Sequence, residues 1–332
     1  MSKGRRTSLQ KALPLLRVVA ACAIVAALLF WVGPVEVVEN LGALPASAAA
    51  AGFAGALIAQ SIGAVRLSRI ARSQGLRVGG REALSISLAA VFYGLFLPAG
   101  NATGWAVRLL RLSRDEGRFG AALLVLGFDR SFATASLAAI GAAADLALGR
   151  PATVAVSVLL VAVALCAMLP AMLLGVPSTR RLLARARSAR LPRWLGGKIG
   201  DLGGLETGTE RGTAALATVL SLCLHVVGIA IWVVLARSLG IDVDVVVIAW
   251  VRSAAMVVAL VPASVGGLGL RESASIYLLG FFGVGQADAL SLSLAVFAVT
   301  VLAVGVVGGC VELWRLITSP RSVPPTRGGT PS

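Results

Sequence analysis

The chain has 332 residues, 58% of them hydrophobic and only 14% charged, with a mean hydropathy of +0.90. Roughly a quarter of an ordinary soluble domain is charged, so this composition excludes one. The 30 Lys and Arg against 15 Asp and Glu leave a net charge of +15; in a chain this apolar, the excess orients helices at the membrane edge and does not imply nucleic acid as a partner.

At roughly 20 apolar residues per crossing, the length holds six to eight crossings with short loops and no large soluble domain. Lys3, Arg5, Arg6, Lys11 and Arg17 make residues 1–17 a basic cytoplasmic amino terminus. The many apolar segments that come later favour an uncleaved first span over a secretory leader. Apolar segments fall at roughly 18–33, 45–65, 83–97, 119–148, 152–176, 213–236, 245–261 and 287–312. Cys22, Cys166, Cys223 and Cys310 each lie inside such a run, without CxxC spacing or a histidine cluster, and read as small buried residues.

Two segments are short and stop at a proline: 83–97 before Pro98, and 245–261 before Pro262. A helix of 15 residues covers about 22 Å of a roughly 30 Å hydrocarbon core, so neither needs to cross. After each proline comes a glycine-bearing polar break and then a second helical stretch with an arginine: LPAGNATGWAVR at 97–108 and VPASVGGLGLR at 261–271. The chain carries the same device twice.

Charge bias tests what these segments do. If all eight crossed from a cytoplasmic amino terminus, Arg108, Arg111, Arg114 and Arg118, together with the eight basic residues of 177–212, would face outward, against the positive-inside rule. If 83–112 and 245–282 are instead re-entrant hairpins, six full spans remain. The amino terminus, 66–81, 111–118, the basic loop 177–212 and the carboxyl tail then become cytoplasmic, leaving Arg150 and Arg237 in outer loops and Arg252 near the outer end of its segment. One hairpin then dips in from the cytoplasm and the other from outside, so halves of about 18–148 and 152–315 are inverted. Secondary transporters use broken helices in this arrangement, around a cavity near mid-bilayer. The fold expected is therefore an all-α polytopic membrane protein with six full transmembrane helices plus two inverted re-entrant helical hairpins, occupying 18–315, with a disordered tail at 316–332.

A helix that starts inside the membrane presents unpaired N–H groups that attract anions. Gly100, Asn101, Thr103 and Gly104 precede Arg108 in the first break; Gly266, Gly267 and Gly269 precede Arg271 in the second. Such a set suits a phosphate or carboxylate. The plainer reading is that the glycines permit a bend and the arginines neutralise carbonyls. Asp129 and Arg130 lie deep in 119–148, where an unpaired charge costs at least roughly 2.5–3.5 kcal/mol, so both need partners. Neighbours on a helix point about 100° apart, which makes Arg108 or Arg271 better mates for Asp129 than Arg130 is. A structural pairing competes evenly with a role in binding or proton coupling, and Glu272 raises the same two readings.

His225, the only histidine, reads as an interhelical hydrogen-bonding residue before a proton carrier. Asp145 is placed near the outer interface and solvated, while Gln60, Ser61 and Tyr93 are candidates for the cavity wall. The run 179–198 alternates arginines with leucines like an interfacial anchor. There is no Walker loop, no GxSxG elbow and no metal-ligand cluster, so neither a cofactor nor an enzyme activity is expected.

The stretches YGLFLPAGNATGWAVRLLRL, VLGFDRSFATASL and LVPASVGGLGLRESASIYLLGFFGVGQADALSLSL, within about 14–315, resemble the flippase-like family named for the transmembrane region of lysylphosphatidylglycerol synthetases. The most specific elements are Pro262, Gly266, Gly267, Gly269, Arg271 and Glu272, then the Asp129–Arg130 pair. The resemblance implies a multi-pass protein of a bacterial or archaeal inner membrane, in a family whose full-length synthetases move aminoacylated phospholipid between leaflets and whose stand-alone members handle lipids or polyprenyl-linked glycans. Two departures matter. Only a Pro/Gly/Arg tail at 319–332 follows the last span, so synthesis by this chain is not expected; and Trp105 follows Gly104 where the family often has an acidic residue.

The function expected is a lipid translocase or lipid-binding transporter with both termini cytoplasmic. Its ligand is a membrane phospholipid, anionic or aminoacylated, or an isoprenoid-phosphate lipid. The hairpin tips, Arg108, Arg271 and the Asp129–Arg130 pair hold the headgroup. The rival from another class is a non-transporting partner of a lipid synthase or glycosyltransferase; a membrane-embedded transferase relying on Asp129 or Glu272 for acid/base work ranks third.

Overall fold

In a computed structural model the chain is helical and without strands among the described residues, which are residue 30 and residues 34–97, 100–113, 118–149, 154–175, 211–260 and 269–318. The helices are α1 (Pro34–Gly42), α2 (Ala46–Ser73), α3 (Gly80–Phe96), α4 (Asn101–Leu112), α5 (Phe119–Leu148), α6 (Val154–Gly175), α7 (Arg211–Ser238), α8 (Val245–Val258), α9 (Leu270–Gly280), α10 (Gln286–Phe297) and α11 (Ala303–Thr318). A π-helical turn, Ala298–Leu302, joins α10 to α11 in one continuous run. Pro98, Pro262, Arg150, the stretch 1–17, the basic loop 177–210 and the tail 319–332 lie outside the described residues.

Four runs are long and apolar enough to cross a bilayer among the described residues: α2, α5, α7 and Gln286–Arg315. At 28–30 residues each they measure about 42–45 Å. The 22 residues of α6 add a helix of about 33 Å. By contrast α3, α4, α8 and α9, with 17, 12, 14 and 11 residues, reach only about 17–26 Å, short of a roughly 30 Å core. Large apolar side chains such as Leu146, Leu165, Val158 and Val226 point outward. On a soluble protein this would be an aggregation-prone surface; against acyl chains it is the expected one. The chain is a multi-pass, all-helical membrane protein.

Lipid offers no hydrophobic drive to join helices, so close backbone approach and hydrogen bonds do the joining. α2 and α7 run antiparallel. Gly52 faces Ile231 and Leu235, Gly63 faces Leu224, and the Arg66 guanidinium reaches Ser221 Oγ at 2.9 Å. α3 packs on α4, and α8 on α9. Each short pair then leans on a long helix from the other half of the chain. α3 meets α11, where Gly308 lies against the Leu88 carbonyl, and α8 meets α5, where a Cβ at Gly141 would touch Ser253 Cβ at 2.7 Å.

Two large apolar clusters occupy most of the interior, one around Trp232, Trp250, Leu279 and Leu290, the other around Leu67, Ile70, Ile86 and Val125, with a small third of Leu137, Leu160 and Val257. On α2, Ala56 belongs to the first and Ala64 to the second; on α7, Ile231 belongs to the first and Ala217 to the second. Gln60 and His225 fall between, in a polar layer.

Four expectations change. The 45–65 segment continues helically to Ser73, which brings Arg66, expected in a cytoplasmic loop, inside the bundle. Arg252 sits at the middle of α8 and is buried, not at an outer end. Asp145 is buried, with Oδ1 unpartnered among the described residues, rather than solvated. Cys166, Cys223 and Cys310 are outward-facing rather than buried, since thiols are compatible with a hydrocarbon surroundings as well as with a core.

Candidate functional site

Both post-break helices start on a glycine in the left-handed region, Gly100 at φ 56° before α4 and Gly269 at φ 88° before α9. A residue with a Cβ is strained there, which explains why glycine recurs at both starts. In the first pair, a Cβ on Gly104 would collide with the Ala90 carbonyl oxygen, so Gly104 is what lets α4 lie against α3. That contact aims Arg108, one turn on, back toward the bundle.

Asp129 projects from the middle of α5 and is only 5% exposed. Its Oδ1 accepts from Arg66 Nε at 2.8 Å, and its Oδ2 lies 4.0 Å from Arg108 Nη1. Arg66 also donates to Ser221, whose own hydroxyl donates to the Ala217 carbonyl. One carboxylate thus carries two arginines, and its burial is compensated by a charge-assisted bond. Arg130, adjacent in sequence, turns to the other side as its 100° step requires and makes no bond or ion pair among the described residues.

These residues border two cavities. One, of about 320 Å³, is lined by Arg66, Arg108, Asp129, Arg130, His225 and Arg252 among others. The second, of about 480 Å³, is bordered by Gly94, Gly104, Trp105, Phe297 and Thr300. Gln60, Arg108, Asp129 and Arg130 line both, so the charged cluster stands at their junction. His225 donates from Nε2 to the Ala133 carbonyl, 2.8 Å away, a tie between α7 and α5.

Arg271 and Glu272 occupy a different position. Glu272 accepts from the Gly269 backbone N–H at 2.6 Å, capping α9, and forms an ion pair with Arg271. The Arg271 guanidinium also stands 5.4 Å from the centroid of the Phe297 ring, whose residue lines the second cavity. Neither charged side chain is part of the wall of either cavity. Of the expected site residues, Gly104, Arg108, Asp129 and Arg130 come together; Gly269, Arg271 and Glu272 form a separate buried cap; Asn101 opens α4; and Gly266 and Gly267 lie outside the described residues. Gln60 borders both cavities, whereas Ser61 bonds back to the Leu57 carbonyl and Tyr93 to Glu312.

Arg66 and Arg252 were not expected at the site. For Arg66 the signal was present: Ala64, Leu67, Ile70 and Ala71 continue the helical spacing of buried positions past the arginine. For Arg252 the signal was an arginine at the centre of an otherwise apolar stretch, where a charge marks function by default. Among the described residues no three His, Cys, Asp or Glu side chains gather as metal ligands would.

Comparison with protein families matches residues 18–308 to the lysylphosphatidylglycerol synthase TM region. No curated protein and no solved structure matches the chain.

Proposed function

We propose, for a chain that belongs to the lysylphosphatidylglycerol synthase TM region family and so has a membrane-lipid-related role, that it is a lipid translocase or lipid-binding transporter. It takes the headgroup of a phospholipid or isoprenoid-phosphate lipid into the paired cavities while the acyl chains stay in the bilayer. The observation that carries this is the excess of arginine in the cavity walls: among the described residues, Arg66, Arg108, Arg130 and Arg252 stand against the single carboxylate of Asp129. Intramembrane charge of one sign around a cavity is what a path for the opposite charge requires.

In this reading α3–α4 and α8–α9 are re-entrant hairpins that enter from opposite faces, within six full spans and with both termini cytoplasmic. The parallel dimensions of the two halves support it. A helix of 28 residues, a pair of short helices and a run of 30 residues occur in that order from Ala46 to Leu148 and again from Arg211 to Arg315. The exchange of contacts, α3 on α11 and α8 on α5, is the one that two such halves make when related by a two-fold axis. Arg108, Asp129 and Arg130 hold the headgroup, Gly104 clears the approach, and the Arg271–Glu272 cap positions the second hairpin.

A leaflet-flip assay in proteoliposomes tests the reading. Arg108→Gln with Arg130→Gln, folded by its melting curve, is expected to slow headgroup movement at least about tenfold; unchanged movement overturns it. Co-purification of a stoichiometric lipid synthase or glycosyltransferase, with no movement by the purified chain, would replace it with the partner role.

A further inference from the structure

We infer that the cavities select a headgroup whose phosphate charge is not neutralised by an amine, and that Arg252 is the ligand waiting for that phosphate. The inference rests on the lipid-headgroup reading above and narrows it to one charge class.

Arg252 is 7% exposed, and its Nε and Nη1 have no hydrogen-bond partner among the described residues. The guanidinium lies over Gly228 on α7, where a Cβ would overlap it, and beside His225 one turn earlier. Gly228 is thus the gap that admits the planar group between α8 and α7. A buried cation with unfilled donors is costly unless something else supplies acceptors. Among the described residues no carboxylate lines the first cavity except Asp129, which is bonded to Arg66 at 2.8 Å. No described residue supplies the acceptor these donors call for, and a guanidinium fork matches the phosphate oxygens that phospholipid headgroups share.

The same inventory argues against a cationic headgroup. An aminoacyl ester brings an ammonium, which needs a carboxylate or a ring of carbonyls, and in the second cavity the wall next to Gly104 is Trp105 rather than an acid. Asp129, the only carboxylate bordering that cavity among the described residues, already faces Arg66 and Arg108. Unneutralised guanidinium charge in a low-dielectric space repels an ammonium and draws an anion. At about 320 Å³ the first cavity lies at the small end of the roughly 300–1,000 Å³ range of ligand sites, enough for a headgroup without its chains.

The test uses the full chain in detergent, with lipid retention read by native mass spectrometry. Phosphatidylglycerol, its lysyl ester and phosphatidylcholine compete in equal amounts, and glycerol phosphate serves as the soluble arm. Phosphatidylglycerol is expected to be retained about tenfold over the other two lipids, with Arg252→Gln abolishing most of that preference. Trp105→Glu, which places a carboxylate in the second cavity, is expected to shift retention toward the lysyl ester; if Arg252→Gln does not fold, this variant and Arg252→Lys decide the matter. Equal retention of the lysyl ester, or a preference untouched by every one of these variants, overturns the inference. Displacement of the lipid by glycerol phosphate, mole for mole, supports the phosphate site with a soluble ligand as its source. Leaflet flipping by the same variants reconstituted in proteoliposomes separates this from the broader reading: equal flipping of both lipids overturns the charge rule and leaves translocation standing, while Arg252-dependent retention without flipping keeps the rule and removes translocation.

Discussion

The two short-helix pairs look alike in sequence and differ in how their arginines are used. In α3–α4, Arg108 follows the break and opens to both cavities, with its side chain 27% exposed and Asp129 at 4.0 Å. In α8–α9, Arg271 follows the break and is sealed against Glu272 and Phe297, while the arginine that reaches a cavity, Arg252, comes from the limb before the break. A shared motif therefore fixes a shape, a short helix started on a glycine, and leaves open which arginine is held by protein and which faces the cavity. The deciding factor is the neighbouring residue. Glu272 stands beside Arg271 and neutralises it, whereas Arg108 has no acid next to it in α4.

The difference is sharpest in the stability of variants. Removing Glu272 by Glu272→Ala leaves a buried guanidinium and an uncapped α9 start, and is expected to destabilise the protein by about 3–5 kcal/mol, read by denaturant titration in detergent. Gly104→Ala forces its methyl group onto the Ala90 carbonyl, a backbone atom that cannot swing away, and should cost about 1–3 kcal/mol; Gly94→Ala, whose nearest neighbour would be 3.5 Å away, should cost much less in the same titration. Tyr93→Phe removes a 3.3 Å bond to Glu312, which Arg111 also holds at 2.5 Å, and should lower stability by about 0.5–1.5 kcal/mol. Arg108→Ala has the smallest effect, about 0–1 kcal/mol, because the group is partly exposed and Arg66 still serves Asp129. A loss at Arg108 as large as that at Glu272 would erase the contrast between the two pairs.

Much of this architecture was legible from hydropathy. The run 119–148 and its helix have the same ends, and both short segments are helices that stop before their prolines. What escaped reading depended on partners far away in sequence. A hydropathy window ends α2 at its first arginines, but Arg66 meets Asp129 across 63 residues, and the paired charges let the helix continue to Ser73. The two mates proposed for Asp129 illustrate the same limit. Arg108 lies 4.0 Å away, whereas Arg271 is claimed by its own neighbour. Local spacing showed that Asp129 needed a cation, and only the packing of α2 on α5 determined that the nearest was Arg66.

The π-helical turn at Ala298–Leu302 has a consequence for the far end of the last run. A wide turn holds one residue more than an α-turn, so it acts as a phase shifter: everything beyond it is rotated by about 100° from where an unbroken helix would put it. Gly308 meets the Leu88 carbonyl and Glu312 meets Arg111 only at that azimuth. By the same count, deleting one residue within 298–302 would convert the wide turn to an α-turn and keep the run seated on α3, whereas closing the turn as α-helix at its full length would unseat it.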